Sequence, residues 1–223
     1  MKTTYSLLFC LCLILVACKT EKKQAVPTIE KEYSLLEKIA NASGFENWNN
    51  VKELQYTFNV DRDTSHFERK WIWNIKKNLV TSITKNDSIS YLRSEVDSTL
   101  HAINGGFIND KYWLLAPFNL VWDEGNYTHE HSLNQEAPLS KKEMQKLTIV
   151  YGNEGGYTPG DAYDYYFEDD FIIKEWVFRK ANQKEPSLAT TWEDYDNFDG
   201  LKIAQMHQND SGFKLYFTAI QVK

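Results

Sequence analysis

Apolar and polar residues alternate along much of the chain with the two-residue period of a β-strand that has one buried face. Within Glu53–Asp61, the side chains of Leu54, Tyr56, Phe58 and Val60 fall on one side of such a strand. Turn-forming residues or prolines separate these alternating segments, which supports reading each segment as a separate strand. The predicted strands are Glu53–Asp61, His66–Lys76, Leu79–Thr84, Ser88–Leu92, Leu147–Tyr151, Ala162–Glu168, Phe171–Arg179, Ser187–Glu193, Leu201–His207 and Phe213–Val222.

Two segments depart from the strand pattern. Glu30–Ala42 carries apolar residues at helical spacing and is followed by Gly44, a common helix stop, so we predict an amphipathic helix there. Gly105–Trp122 is apolar at too many positions to have a single apolar face. We predict a short helix over Phe107–Leu115 and an apolar loop after it.

The order of these elements predicts an α+β fold. About ten strands in adjacent hairpins favour one antiparallel sheet that is closed or strongly curved, because large flat sheets are rare. The apolar segment 105–122 must be covered, and the concave face of the sheet is the simplest cover. No linker divides the body, so we predict one domain over residues 30–223.

Composition and charge exclude several classes of function. The 223 residues include three cysteines, Cys10, Cys12 and Cys18, so the chain after residue 18 has no disulfide, no thiolate nucleophile and no cysteine-based metal site. The 25 basic and 31 acidic side chains give a net charge of −6. This balance argues against a nucleic-acid partner, which requires a concentrated basic face.

The first eighteen residues resemble a bacterial lipoprotein signal. An apolar run, Tyr5–Val16, is too short to span a bilayer as a helix, which takes about 20 residues. It ends in Leu-Val-Ala-Cys18, which resembles the lipobox, so we predict a signal peptide over residues 1–17, acylation of Cys18 and a polar tether over residues 18–29. The alternative is an ordinary signal peptide with a chance cysteine. The lipobox implies a lipid-anchored protein of the cell envelope, by analogy at the outer membrane, and leaves the leaflet open.

Two motifs extend this resemblance to the body of the chain. Both resemble segments of LolA-like and LolB-like envelope proteins of Bacteroidota-like bacteria. The first is Trp113–Leu120, followed by Asp123-Glu-Gly125, and the second is Gly155–Tyr163. The resemblance covers roughly residues 30–222. It implies the fold of that lipoprotein-carrier superfamily, a curved antiparallel half-barrel capped by helices, with an apolar cavity that shelters acyl chains.

The resemblance also implies a set of ligand-binding residues. In the carrier, an arginine on the concave face helps to hold the helical lid closed, and Arg69 matches it. If buried, Arg69 requires a carboxylate or a ligand head group beside it; alternatively, it reaches solvent from a strand end. The tryptophans line the cavity, pack an ordinary core or form a sugar platform. The predicted cavity and lid residues are Phe67, Arg69, Trp71, Trp73, Phe107, Trp113, Leu114, Phe118 and Trp122.

Sequence signals for chemistry are weak. On a strand, His129 and His131 would lie on the same face. They could then bind a metal ion if a third ligand, such as His207 or Asp123, were close to them. Solvated loop histidines are the commoner outcome, and we predict no cofactor. No motif for a serine hydrolase, zinc protease or nucleotide-binding loop is present.

We therefore predict a lipid-anchored envelope protein that binds a lipid, an acyl chain or an acylated protein in a half-barrel cavity without catalysis. Its partners would be the membrane, through the anchor, and this apolar ligand; the oligomeric state is open. One alternative is a glycan- or protein-binding surface lipoprotein with a packed core. Another is a hydrolase, in which acidic side chains from distant strands converge.

Overall fold

A computed structural model describes residues 32–154 and 158–223. Its helices and strands lie within Tyr33–Lys223, which forms one compact unit. The predicted signal peptide, Cys18 and the tether lie outside the described residues. The helices are α1 (Leu35–Ala42) and α2 (His101–Trp122), and the strands are β1 (Glu53–Arg62), β2 (Ser65–Asn74), β3 (Leu79–Ile83), β4 (Ser88–Leu92), β5 (Tyr127–Glu136), β6 (Glu143–Tyr151), β7 (Ala162–Phe167), β8 (Ile173–Arg179), β9 (Leu188–Thr191), β10 (Glu193–Phe198), β11 (Leu201–Gln208) and β12 (Lys214–Val222).

The strands form two antiparallel sheets. One has seven strands in the order β10-β11-β12-β1-β2-β3-β4, and the other has five in the order β5-β6-β7-β8-β9. A hydrogen bond joins the two sheets near the point where the chain passes from β9 to β10. The backbone N–H of Gln208, the last residue of β11, donates to the hydroxyl of Thr191, the last residue of β9, at 3.2 Å. The predicted curved antiparallel α+β fold is confirmed, with twelve described strands that do not close into a barrel. The expectation of one continuous sheet is wrong, because the strands divide into two sheets.

Two strands, β5 and β10, are absent from the sequence-based prediction. Each is the outer strand of its sheet. The side chains of β5 are exposed at most positions on both faces, and β10 carries no fully buried residue. An edge strand of this kind needs no apolar face, so its sequence lacks the alternation that identifies a strand.

Helix α1 begins at Leu35 because a capping box fixes its start. The Ser34 hydroxyl accepts a hydrogen bond from the backbone N–H of Glu37 at 3.2 Å, and the Glu37 carboxylate accepts one from the backbone N–H of Ser34 at 2.9 Å. The predicted helix starts too early, since residues 32–34 are not helical. The predicted end at Ala42 is confirmed. Gly44, which follows the C-cap residue Ser43, has a φ of +85°, a conformation that ends a helix and favours glycine.

Helix α2 is longer than predicted and occupies the centre of the molecule. It runs through Pro117, with a break in helical geometry at Leu115 (φ −124°, ψ 28°). Proline removes one backbone donor and crowds the preceding turn, which accounts for the break. All side chains from Asp110 to Leu120 are buried, so the second half is a buried helix and not the predicted loop. A helix buried on all sides has no amphipathic period for the sequence to display.

Both sheets pack on α2 through aromatic side chains. The ring of Phe107 lies 5.4 Å from that of Trp71 in the seven-stranded sheet. The ring of Trp113 lies 4.3 Å from that of Trp176 in the five-stranded sheet. The helix therefore packs between the two sheets and contacts both.

His207 lies in this core with no exposed surface. Its ring centroid is 4.5 Å from that of Trp192, 5.3 Å from Trp113 and 5.8 Å from Phe217. Neither ring nitrogen makes a hydrogen bond of good geometry within the described residues, although the Thr191 backbone acts on the ring and raises its pKa against the larger effect of burial. Burial lowers the pKa of His207 to about 3, so the folded protein holds a neutral imidazole.

We expect the protein to lose stability as the pH falls below 6.5, in part through His207. The native pKa of about 3 lies below the ordinary value of 6.5, so between these values the unfolded state binds the extra proton and becomes favoured. At pH 5 this costs about 2 kcal/mol relative to pH 7. Urea denaturation at both pH values should show this loss reduced by that amount in His207→Phe, which keeps an aromatic ring.

The control is His101→Gln, which removes an exposed histidine at the start of α2. It should keep the wild-type difference between the two pH values. An unchanged difference in His207→Phe would show that His207 takes up its proton in the folded protein.

Candidate ligand pocket

A cavity of about 470 Å³ lies beside the first half of α2, between the two sheets. Its walls come from β1 and β12 of the seven-stranded sheet, from β7, β8 and β9 of the other, from α2 and from the loop before β7. The volume falls within the range of about 300–1,000 Å³ typical of small-molecule sites. The lining residues are mostly apolar: Phe58, Val60, Arg62, Gly105, Ile108, Asn109, Tyr112, Trp113, Thr158, Asp161, Tyr163, Trp176, Phe178, Leu188, Phe213 and Leu215.

Packed aromatic rings make the inner wall of the pocket rigid. The Tyr112 and Tyr163 ring centroids are 4.9 Å apart, and Tyr163 in turn lies 5.3 Å from Trp176 and from Phe178. Each of these contacts joins two different elements of the fold. The wall is therefore formed before any ligand arrives.

A chain of hydrogen bonds behind this wall fixes the polar ends of its tyrosines. The Tyr112 hydroxyl lies 2.9 Å from that of Tyr165 and 3.3 Å from that of Tyr151. The Tyr151 hydroxyl donates to Asp123 Oδ2 at 2.9 Å. Burial raises the pKa of Asp123, while the bond from Tyr151 partly offsets this effect. The polar atoms behind the wall are thus hydrogen-bonded among themselves, and the rings present apolar faces to the pocket.

Arg69 clamps α2 to the seven-stranded sheet. Its Nε and Nη2 atoms donate to the two oxygens of Asp110 at 2.5 and 2.6 Å, and Trp71 Nε1 donates to the same carboxylate at 2.7 Å. Nη2 also lies 3.2 Å from the carbonyl oxygen of Gly106. Asp110 has no exposed surface. Arg69 itself is partly buried, with 23% of its side chain exposed. The carboxylate that the buried part of its charge requires is therefore present, one turn beyond the glycine that contacts the guanidinium.

The nine predicted cavity and lid residues are distributed over several parts of the structure. Trp113 lines the pocket, Phe67 is exposed beside it at 49% of its surface, and Arg69 forms the clamp. Trp71, Trp73, Phe107 and Leu114 are buried between α2 and the sheets. Phe118 and Trp122 lie towards the other end of α2, in an aromatic cluster with Phe45 and Trp48.

Several lining residues are not among those nine. Phe58 was recognisable as a buried position, because it belongs to the regular alternation of β1. Tyr163 and Phe178 lie on adjacent strands of the five-stranded sheet, and only the pairing of β7 with β8 brings them together. Sequence alternation indicates which face of a strand is buried but not which buried side chains border a cavity.

The histidines considered as metal ligands do not converge. His129 and His131 are exposed on β5, where His131 Nε2 lies 3.0 Å from Gln145 Oε1, whereas His207 is inside the core. No group of three metal-ligating side chains forms within residues 32–154 and 158–223. Asp161 is the one carboxylate in the described lining of the pocket, which contains no histidine.

Other surfaces of the described chain suit an apolar ligand less well. A second cavity of about 470 Å³ has one apolar lining residue, Met144, among acidic and amide side chains. None of the seven tryptophans is exposed, so they form no external platform for a sugar. In the part of the chain that the structure describes, no helix combines the length and the apolar character needed to cross a membrane.

No family model and no curated protein matches the chain, but solved structures resemble it. A LolA superfamily protein from Nitrosomonas europaea matches with a TM-score of 0.49 over 86% of this chain and 94% of its own. A DUF1329 family protein from Desulfovibrio piger matches with a TM-score of 0.48 over 85% and 92%. A putative outer membrane lipoprotein-sorting protein domain from Vibrio parahaemolyticus matches with 0.45 over 84% and 93%.

Each of these structures is 9% identical to the chain. The LolA superfamily, to which the sequence motifs pointed, is named among them. At this identity, and with TM-scores below 0.5, the likenesses give no information on the ligand of this chain.

Two adjacent glycines of α2 should respond in opposite ways to alanine. A Cβ at Gly106 would lie 2.6 Å from Arg69 Nη1, whereas a Cβ at Gly105 would meet no atom within 4 Å. Gly106→Ala must displace a guanidinium that Asp110 holds, so we expect a loss of about 2 kcal/mol of stability. Gly105→Ala should add about 0.5–1 kcal/mol by favouring the helix. Urea denaturation of both variants measures the difference, and equal effects would contradict the clamp.

Proposed function

We propose that this protein is a lipid-anchored protein of the cell envelope that binds a single acyl chain or a similar apolar ligand, without catalysis. The observation that carries the proposal is the apolar cavity of about 470 Å³ between α2 and the two sheets. Preformed concave sites lined by apolar and aromatic side chains are the usual sites for such ligands.

The energetics of burial favour a long chain over a small apolar molecule. Each methylene group transferred from water contributes about 0.8 kcal/mol, so ten contribute about 8 kcal/mol. Association costs about 4–15 kcal/mol in lost freedom of motion, which a short ligand does not offset. The rigid aromatic wall lowers this cost, because little of the protein has to become ordered on binding.

The polar groups of the pocket fit binding better than hydrolysis. A pair of carboxylates is the minimum for acid–base hydrolysis by acids alone, and the described lining supplies Asp161 only. That carboxylate already accepts a hydrogen bond from the backbone N–H of Ala181 at 2.8 Å. Asp161 therefore serves the local structure of the pocket wall.

The anchor and the division of the chain rest on the sequence. We propose that residues 1–17 are removed as a signal peptide, that Cys18 is acylated and that residues 18–29 tether the domain of residues 30–223 to the membrane. The outer membrane is the proposed location. Twelve residues of extended tether reach roughly 40 Å, which places the pocket within range of lipids of the same membrane.

Ligand binding can be tested by blocking the pocket at Gly105. The probe is a fluorescent palmitate analogue, titrated into residues 19–223, which contain the whole compact unit. Gly105 lines the pocket and has free space where a side chain would project. Gly105→Leu should therefore weaken binding about tenfold or more, which corresponds to 1.4 kcal/mol.

The matched control is Ala102→Leu, which adds a leucine at an exposed position of the same helix outside the pocket. It should bind the probe as the wild type does. Failure of the wild-type protein to bind the probe, or equal binding by Gly105→Leu, would overturn the proposed function.

The anchor can be tested by metabolic labelling with an alkyne fatty acid in a bacterium that acylates its lipoproteins. The wild-type chain should be labelled and fractionate with membranes, because the acyl chains partition into lipid. Cys18→Ala should lose the label. Cys12→Ala, which alters a neighbouring cysteine of the signal segment, should keep it. A label that persists in Cys18→Ala would contradict the anchor.

A further inference from the structure

A smaller cavity of about 250 Å³ adjoins the apolar pocket at its mouth. The two share Arg62, Leu188 and Phe213. Beyond these shared residues, the lining of the outer cavity is Asp63, Ser211 and Gly212, at the tips of the β1–β2 and β11–β12 hairpins. An apolar pocket thus adjoins a smaller cavity whose lining includes a cation, a carboxylate and a hydroxyl. This arrangement suits a molecule with an apolar tail and a polar head.

Arg62 marks the boundary between the two chambers. It is the last residue of β1, and its guanidinium carbon lies 5.4 Å from the centre of the Phe213 ring. Within the described residues it forms no ion pair. Its charged donors are therefore available to an anion, and their planar arrangement suits the oxygens of a phosphate.

Two carboxylates line the same two cavities as Arg62. Asp63 lines the outer cavity and, in the described part of the chain, makes neither a side-chain hydrogen bond nor an ion pair. Asp161 lines the inner pocket. A purely anionic head group would meet these two negative charges, and a purely cationic one would meet Arg62. A head group that carries both charges complements the mouth.

We propose that the ligand is a single-chain zwitterionic phospholipid, whose phosphate binds Arg62 and whose ammonium group faces Asp63. This inference rests on the proposed function and names the class of its ligand. One acyl chain enters the inner pocket, whose volume is in the lower half of the range for small-molecule sites. The head group occupies the outer cavity, where the hairpin tips leave it in contact with water.

Three palmitoyl lipids that share one acyl chain and differ in their head groups test this inference. They are lysophosphatidylethanolamine, which is zwitterionic, lysophosphatidic acid, which is anionic, and monopalmitoylglycerol, which is neutral. Each is titrated below its micellar concentration into residues 19–223 by calorimetry. The zwitterionic lipid should bind about tenfold more tightly than either of the others, and high salt should reduce that preference.

Two variants assign the preference to its residues. Arg62→Gln should bring the affinity ratio of the zwitterionic to the neutral lipid close to one. Asp63→Asn should reduce the ratio of the zwitterionic to the anionic lipid, and asparagine tolerates the positive φ of +51° at this position. The control is Lys77→Gln, which removes an exposed positive charge outside both cavities and should keep the wild-type ratios.

The outcomes separate this inference from the proposed function. Equal binding of the three lipids, or tightest binding of the anionic one, overturns the zwitterionic head group and leaves acyl-chain binding in place. Binding of none of them overturns the proposed function as well. A preference that persists in both Arg62→Gln and Asp63→Asn would show that these residues do not hold the head group.

Discussion

The ion pair between Arg69 and Asp110 holds the central helix in place. A carboxylate with no exposed surface requires compensation for its lost hydration, and here a guanidinium and the Trp71 ring N–H supply it. Both of these partners lie on β2, so the ion pair fixes the position of α2 along that strand. Gly106 belongs to the same arrangement, because only a residue without a Cβ leaves room for the guanidinium.

The position of α2 in turn determines which part of the space between the sheets is packed core and which part is the pocket. Beyond the break at Leu115, the helix is buried on all sides and packs against α1 and the aromatic cluster around Trp48. Before the break, small residues such as Gly105 border open space. The pocket therefore lies along the half of the helix that carries the clamp. A shift of that half relative to β2 would change the shape of the pocket directly.

The sequence predicted best those elements in which buried and exposed positions alternate regularly or in which one residue type has a specific backbone role. Strands β1 and β12 alternate because one face of each packs on the core, and Gly44 ends α1 because its backbone has a positive φ. Strands β5 and β10 lie at sheet edges and have no such period. The second half of helix α2 is missing from the prediction because burial on every side removes its period.

The site was less predictable than the fold. The resemblance pointed to Arg69 on the concave face, where burial would require either a carboxylate or a ligand head group beside it. The identity of that carboxylate, forty-one residues along the chain, depends on the packing of helix on sheet. The same holds for the pocket lining, since Phe58, Trp113 and Trp176 come from three separate elements. Sequence alone thus predicted the fold class and the buried faces of the strands, because each follows from neighbouring residues, and the lipobox at Cys18 stays a prediction from the sequence. Only the tertiary structure decided the pairing of Arg69 and the position of the cavity, because these depend on contacts between distant segments.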